Sequence, residues 1–156
     1  MSRHSFREKV VIVTGASSGI GRALALRLAG EGALLALAAR NADRLRGIAS
    51  ECQKQGGTEI AVPTDVADEG QCKRLVEQTV ARYGRIDMLV NNAGIGVVDS
   101  FDDLPDLRLF KQVMDVNFQG VVNCAYHALT CLKKTRGRIV NVSSLAGKIA
   151  LPLNTS

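Results

Sequence analysis

Near its start the chain runs Lys9-Val10-Val11-Ile12-Val13-Thr14-Gly15-Ala16-Ser17-Ser18-Gly19-Ile20-Gly21 and then continues Arg22-Ala23-Leu24-Ala25-Leu26. Four successive apolar β-branched residues without polar alternation specify a strand buried on both faces, which belongs in the interior of a parallel sheet. The residues after the glycines are good helix formers, so the run reads strand, glycine loop, helix. Gly15 permits a tight turn out of the strand, Gly19 lets backbone N–H groups approach an anion, and Gly21 allows close helix packing. The helix start adds partial positive charge. Thr14, Gly15, Ser17, Ser18, Gly19, Ile20 and Gly21 are therefore the expected cradle of a dinucleotide pyrophosphate. A glycine triplet alone is a weak signal, and the strand before it and the helix behind it give it weight. A Walker-type loop would close on Gly-Lys-Ser/Thr, whereas Gly21 is followed by Arg22.

The remainder repeats this alternation. Short apolar runs predict strands over 9–14, 33–39, 59–63, 86–90 and 138–142. Segments with apolar residues at helical spacing predict helices over 20–29, 43–55, 68–83 and about 106–134, with a polar turn over 99–105. Right-handed crossovers then give an α/β fold: a Rossmann-type, doubly wound parallel sheet ordered 3-2-1-4-5 with helices on both faces. At 156 residues and 46% hydrophobic content the chain suits one domain, spanning 1–156.

Composition narrows the partners. The net charge of +5 comes from basic residues interleaved with acids, so nucleic-acid binding is not expected. Apolar runs fall far short of the ~20 residues a membrane span needs, and the start lacks a secretory apolar core. A cytoplasmic protein is expected. Cys52, Cys72, Cys124 and Cys131 are scattered, which predicts free thiols rather than disulfides or metal ligands.

Cofactor choice in such folds is settled at the end of the second strand, ~20 residues after the glycines, where a carboxylate would bind the ribose 2′-OH. Here the strand ends Ala38-Ala39-Arg40-Asn41. Ala39 stands where the acid is expected, and the Arg40 guanidinium that follows suits a phosphate. NADP(H) is favoured over NAD(H).

The TGxxxGxG spacing of Thr14 to Gly21 resembles that of the short-chain dehydrogenase/reductase family. Further motifs carry the same resemblance: Asp65-Val66 after the third strand, Asn91-Asn92-Ala93-Gly94 after the fourth, Asn117 in the long helix, and Ser143-Ser144 after the fifth. The resemblance implies that Asp65 and Val66 contact adenine, and that Asn91, Ala93 and Gly94 line the adenosine side. It implies catalytic roles for Asn117, which holds a relay water, and Ser144, which orients the substrate oxygen. The family's second basic position for NADP, just before the second glycine, is Ser18 here. The family reduces carbonyls or oxidises alcohols with an Asn-Ser-Tyr-Lys tetrad, the tyrosine serving as general acid/base. Its Tyr-x-x-x-Lys pair would begin just after Ser156, so the domain is expected to be incomplete at its C-terminus, without the family's last helices and strands.

Two readings follow. In one, the chain is the cofactor part of an NADP(H)-dependent oxidoreductase acting on a small carbonyl/alcohol substrate, whose intact form is a homo-oligomer. In the other, it is a catalytically inactive protein that binds a nucleotide or a partner. A fragment, an early stop and a splice form are all compatible with either.

Overall fold

Every residue of β1 (Val10–Thr14) is buried, none more than 1% exposed. A strand with no wet face must lie inside a sheet covered on both sides. In the computed structural model, which describes residues 6–97 and 106–145, β1 is paired in parallel with β2 (Leu34–Ala39) on one side and β4 (Met88–Asn91) on the other. Beyond them lie β3 (Thr58–Pro63) and β5 (Arg138–Asn141), also parallel. The order is β3-β2-β1-β4-β5, as the alternation of segments predicts.

Side chains leave the sheet alternately. Val11, Val13, Leu35 and Leu37 pack with Ala25 and Leu28 of α1 (Gly19–Gly30) and with Leu45 and Ile48 of α2 (Ala42–Lys54). Ile12, Ala36 and Leu89 face the other way, onto Leu75 and Val76 of α3 (Glu69–Tyr83) and Ala128 and Leu132 of α5 (Gly120–Thr135). A one-residue slip would exchange these two faces, so burial on both sides fixes the register.

The helix predicted over 106–134 is interrupted. It comprises α4 (Arg108–Met114), a π-helical turn (Asp115–Gln119) and α5. α5 presses closely on the loop after β3: a Cβ on Gly120 would stand 2.6 Å from Val66 Cγ2, and the Asn123 amide donates to the Val66 carbonyl at 3.0 Å. Val113, Cys124, Ala128 and Leu132 are buried. Met114, Phe118, Val122, Tyr126 and Leu129 form the exposed row.

All four cysteines are free, and the Cys124 thiol donates to Cys72 Sγ at 3.5 Å, joining α5 to α3. Among the described residues no helix is long and apolar enough to cross a membrane. The polar turn predicted over 99–105 and the stretch 146–156 lie outside the described residues.

One edge residue makes stability depend on pH. Burial pushes the Glu59 carboxyl above its ordinary range, against an opposing hydrogen bond from Gln53, and its Oε2 has no partner. A carboxyl with a raised folded-state pKa binds more protons folded than unfolded. Its ionisation therefore removes stability as pH rises from the ordinary carboxylate value through the folded one. Glu59→Gln is expected to flatten this decline and to unfold at higher urea than wild type near neutrality. A variant that tracks the wild-type pH profile would contradict this account.

Candidate functional site

Parallel strands bring their C-terminal ends to one side, and the loops leaving β1 and β4 diverge where the strand order reverses. That is where open α/β sheets form ligand crevices. Here the crevice is about 1350 Å³ and runs from Arg40 and Asn41, past the glycine loop, to Asn117 and Ser144.

The loop is built on Thr14. Its hydroxyl donates to the Val90 carbonyl at 3.2 Å and accepts from the Asn92 and Ala93 N–H groups at 3.0 and 3.1 Å. The Asn92 amide answers by donating to the carbonyls of Thr14 (3.0 Å) and Gly15 (3.3 Å). The loops after β1 and β4 are thus bonded into one unit. Gly15 and Gly19 adopt positive φ, +65° and +52°, and a Cβ on Gly19 would meet nothing within 4 Å, because that residue faces open space.

Of the site residues expected from the sequence, Gly15, Ser17, Ser18, Gly19, Ile20, Arg40, Asp65, Val66, Asn91, Ala93, Gly94, Asn117 and Ser144 all line the crevice. Thr14 and Gly21 do not; both are buried behind it, as braces of the loop. Asp65 also caps a turn, its carboxylate accepting from Ala67 N–H at 3.0 Å while its own N–H donates to Gln71 Oε1 at 2.8 Å. Asn117 sits in the π turn, and its side chain is engaged by the loop after β4. Oδ1 accepts from Ile95 N–H at 2.9 Å and Nδ2 donates to Ile95 O at 2.7 Å. Ser144 is exposed just beyond β5, which Val142 N–H fastens to Asn91 O at 2.9 Å.

Three features suit a dinucleotide. The first turn of α1 has no side-chain cap from Ser18, whereas α2 and α3 are capped by Asn41 and Asp68, so its N–H groups are available to an anion. Asn91 is 4% exposed and donates to Asn141 Oδ1 at 2.9 Å, but its own Oδ1 is buried without a partner. Such an orphaned acceptor on a crevice wall is expected to be met by a ligand donor. Arg40 offers a guanidinium at the end of β2, with no side-chain acid at Ala39 to repel a phosphate. Neither tyrosine lines the crevice. Tyr83 donates to the Leu35 carbonyl at 3.1 Å, and burial pushes its phenol up to about 12. Tyr126 is exposed on α5, edge-on to His127.

Sequence reasoning did not find Arg44, Asn123 or Asn141. Arg44 and Asn141 line the crevice, and Asn123 ties α5 to the loop carrying Asp65 and Val66. The only local signal for Asn123 is an amide on what the periodicity makes the buried face of a helix.

The short chain dehydrogenase family model matches residues 9–156. An 11-beta-hydroxysteroid dehydrogenase-like protein (4A) of Arabidopsis thaliana is 45% identical over 92% of this chain and 48% of its own length. An 11-beta-hydroxysteroid dehydrogenase (A) of Sesamum indicum is 41% identical over 92% and 42%. The chain thus spans about half the length of the curated relatives it matches. Among solved structures, an alcohol dehydrogenase of the archaeon Thermococcus sibiricus, complexed with 5-hydroxy-NADP, superposes with a TM-score of 0.89 at 34% identity, covering 95% of this chain and 63% of that one. A short-chain type dehydrogenase/reductase of Mycobacterium marinum gives 0.88 at 34%, covering 94% and 60%. With the parallel sheet, the loop and the family model in agreement, this chain belongs to the short-chain dehydrogenase family.

Proposed function

We propose that the chain is the cofactor-holding part of an NADP(H)-dependent oxidoreductase that interconverts a small carbonyl and its alcohol. The observation that carries this reading is the single crevice that joins Arg40 at one end to Asn117 and Ser144 at the other, with the glycine loop between. When bound, the nicotinamide supplies or accepts the hydride. The residues of this chain hold and orient. The N–H groups of the α1 start receive the pyrophosphate, Asp65 and Val66 the adenine, and Arg40 a 2′-phosphate. Asn91, Ala93 and Gly94 wall the adenosine side. Ser144 donates to the substrate oxygen on which negative charge develops. Asn117, whose side chain is bonded to Ile95, is assigned the relay water.

The 5-hydroxy-NADP of the Thermococcus relative supports the cofactor choice, and the names of the plant relatives support an alcohol substrate. The exposed row from Met114 to Leu129 supports a homo-oligomer, and the four free cysteines fit the reducing cytoplasm.

Removing Arg40 tests the cofactor assignment. Arg40→Ala is expected to weaken NADPH binding roughly 10- to 100-fold, the worth of a hydrogen bond to a charged group, and to leave NADH binding nearly unchanged in fluorescence titrations. Equal losses for both would sink the assignment.

A second reading, a binding protein without turnover, is favoured by one observation: neither tyrosine lines the crevice. It expects the purified chain to bind NADPH yet not oxidise it with a panel of aldehydes and ketones. Turnover that disappears in Ser144→Ala would overturn it.

A further inference from the structure

We infer that Arg44 is a second specificity-determining residue, gripping the same 2′-phosphate as Arg40. The inference rests on the NADP(H) reading and extends it to a residue the sequence patterns did not mark.

Several other arginines are engaged by carboxylates. Arg22 pairs with Glu51 at 2.6 Å, Arg85 with Asp87 at 2.5 Å, and Arg46 with Asp43. Among the described residues, no carboxylate pairs with Arg40 or Arg44. Asp43, the acid adjacent to Arg44 in sequence, is committed to Arg46 on the next turn. Arg40 and Arg44 both line the crevice, and between them stands Asn41, whose side chain accepts from the Arg44 N–H at 2.9 Å to cap α2. That cap uses only the Arg44 backbone, so its guanidinium is not needed for the helix.

The pair approaches from two elements: Arg40 from the end of β2, Arg44 from the first turn of α2. Two guanidinium groups sharing one crevice wall repel each other. A phosphate carrying close to two negative charges relieves that repulsion and can accept charge-assisted hydrogen bonds from both. Ala39, at the ribose position, brings no carboxylate to compete. The adenosine 2′-phosphate of NADP(H) meets these requirements. The pyrophosphate is served by the α1 start instead.

The test is calorimetric binding of NADPH, NADH, 2′,5′-ADP, 5′-AMP and inorganic phosphate to the wild-type protein, Arg44→Ala and Arg44→Lys. Arg44→Ala is expected to weaken NADPH and 2′,5′-ADP about tenfold or more, with NADH, 5′-AMP and the thermal midpoint unchanged. Arg44→Lys, which keeps the charge but loses the fork, should fall between wild type and alanine. A wild type that prefers 2′,5′-ADP to 5′-AMP, with Arg44→Ala keeping the same preference, overturns the Arg44 inference alone. Equal losses of NADH and NADPH overturn it too, by showing a general effect on the site. A wild type unable to tell 2′,5′-ADP from 5′-AMP overturns the NADP(H) reading and this inference with it. Inorganic phosphate bound as tightly as 2′,5′-ADP, and weakened by Arg44→Ala to the same degree, marks a site for free phosphate and overturns the nucleotide assignment.

Discussion

Gly21→Ala is expected to abolish dinucleotide binding and to destabilise the fold by about 2–3 kcal/mol, the scale of overpacking at a site that cannot relax. The added Cβ would stand 2.3 Å from the Gly15 carbonyl oxygen and 2.5 Å from Asn92 Nδ2. Neither can yield cheaply. Gly15 is held in a positive-φ turn, and the Asn92 amide is spent on the Thr14 and Gly15 carbonyls. In an ordinary helix alanine would outdo glycine by roughly 1 kcal/mol, so the clash has to overcome a gain in propensity and still wins. Gly19→Ala is the informative contrast. Its Cβ meets nothing within 4 Å, so the cost is confined to the strain of its positive φ, of order 1–2 kcal/mol. Urea unfolding of the two variants should rank Gly21→Ala as the more destabilising. If it unfolded with wild type, the close contact between the α1 start and the loop would be refuted.

The second large effect is expected from Thr14→Val, a nearly isosteric change that removes one oxygen. That oxygen, 1% exposed with its residue, donates one hydrogen bond and accepts two. Its loss leaves the Asn92 and Ala93 N–H groups without their acceptor, in a part of the fold where water does not readily replace it. Each buried orphan costs roughly 1–3 kcal/mol, which places the variant about 2–4 kcal/mol below wild type. Thr14→Ser keeps the hydroxyl and loses a buried methyl worth about 0.8 kcal/mol, so most of the stability should return. Chemical denaturation of the pair decides the matter. A valine variant as stable as the serine one would show that the methyl, rather than the hydrogen bonds, holds the two loops together.

Much of the architecture was legible because it is written locally. Val10 to Val13 have no polar residue among them, so their strand could only be central. The segments from 43 to 55 and from 68 to 83 repeat apolar residues at helical spacing, so their buried faces could be named in advance. The long helix after 106 is where such reading stopped short. Nothing in its periodicity marks the π turn at Asp115–Gln119, nor that Gly120 and Asn123 just after it are pressed against Val66, some fifty residues earlier in the chain.

The candidate site divides along the same line. Residue type and spacing alone marked the glycine loop from Thr14 to Gly21 and the missing acid at Ala39 with Arg40 beside it, because each depends on a few consecutive residues whose backbone freedom or charge is intrinsic. The positions of Asn117 and Ser144 were marked by the family resemblance. Only the tertiary structure decided that Thr14 and Gly21 brace the loop from behind, that the Asn117 side chain is spent on Ile95, and that Arg44 shares a wall with Arg40. Those outcomes turn on which distant segments the sheet order brings together. Thr14 and Asn92 become neighbours across 78 residues of sequence only because β1 and β4 lie side by side. Periodicity records which face of a segment is buried; the partner that face meets is set by the crossing of the chain.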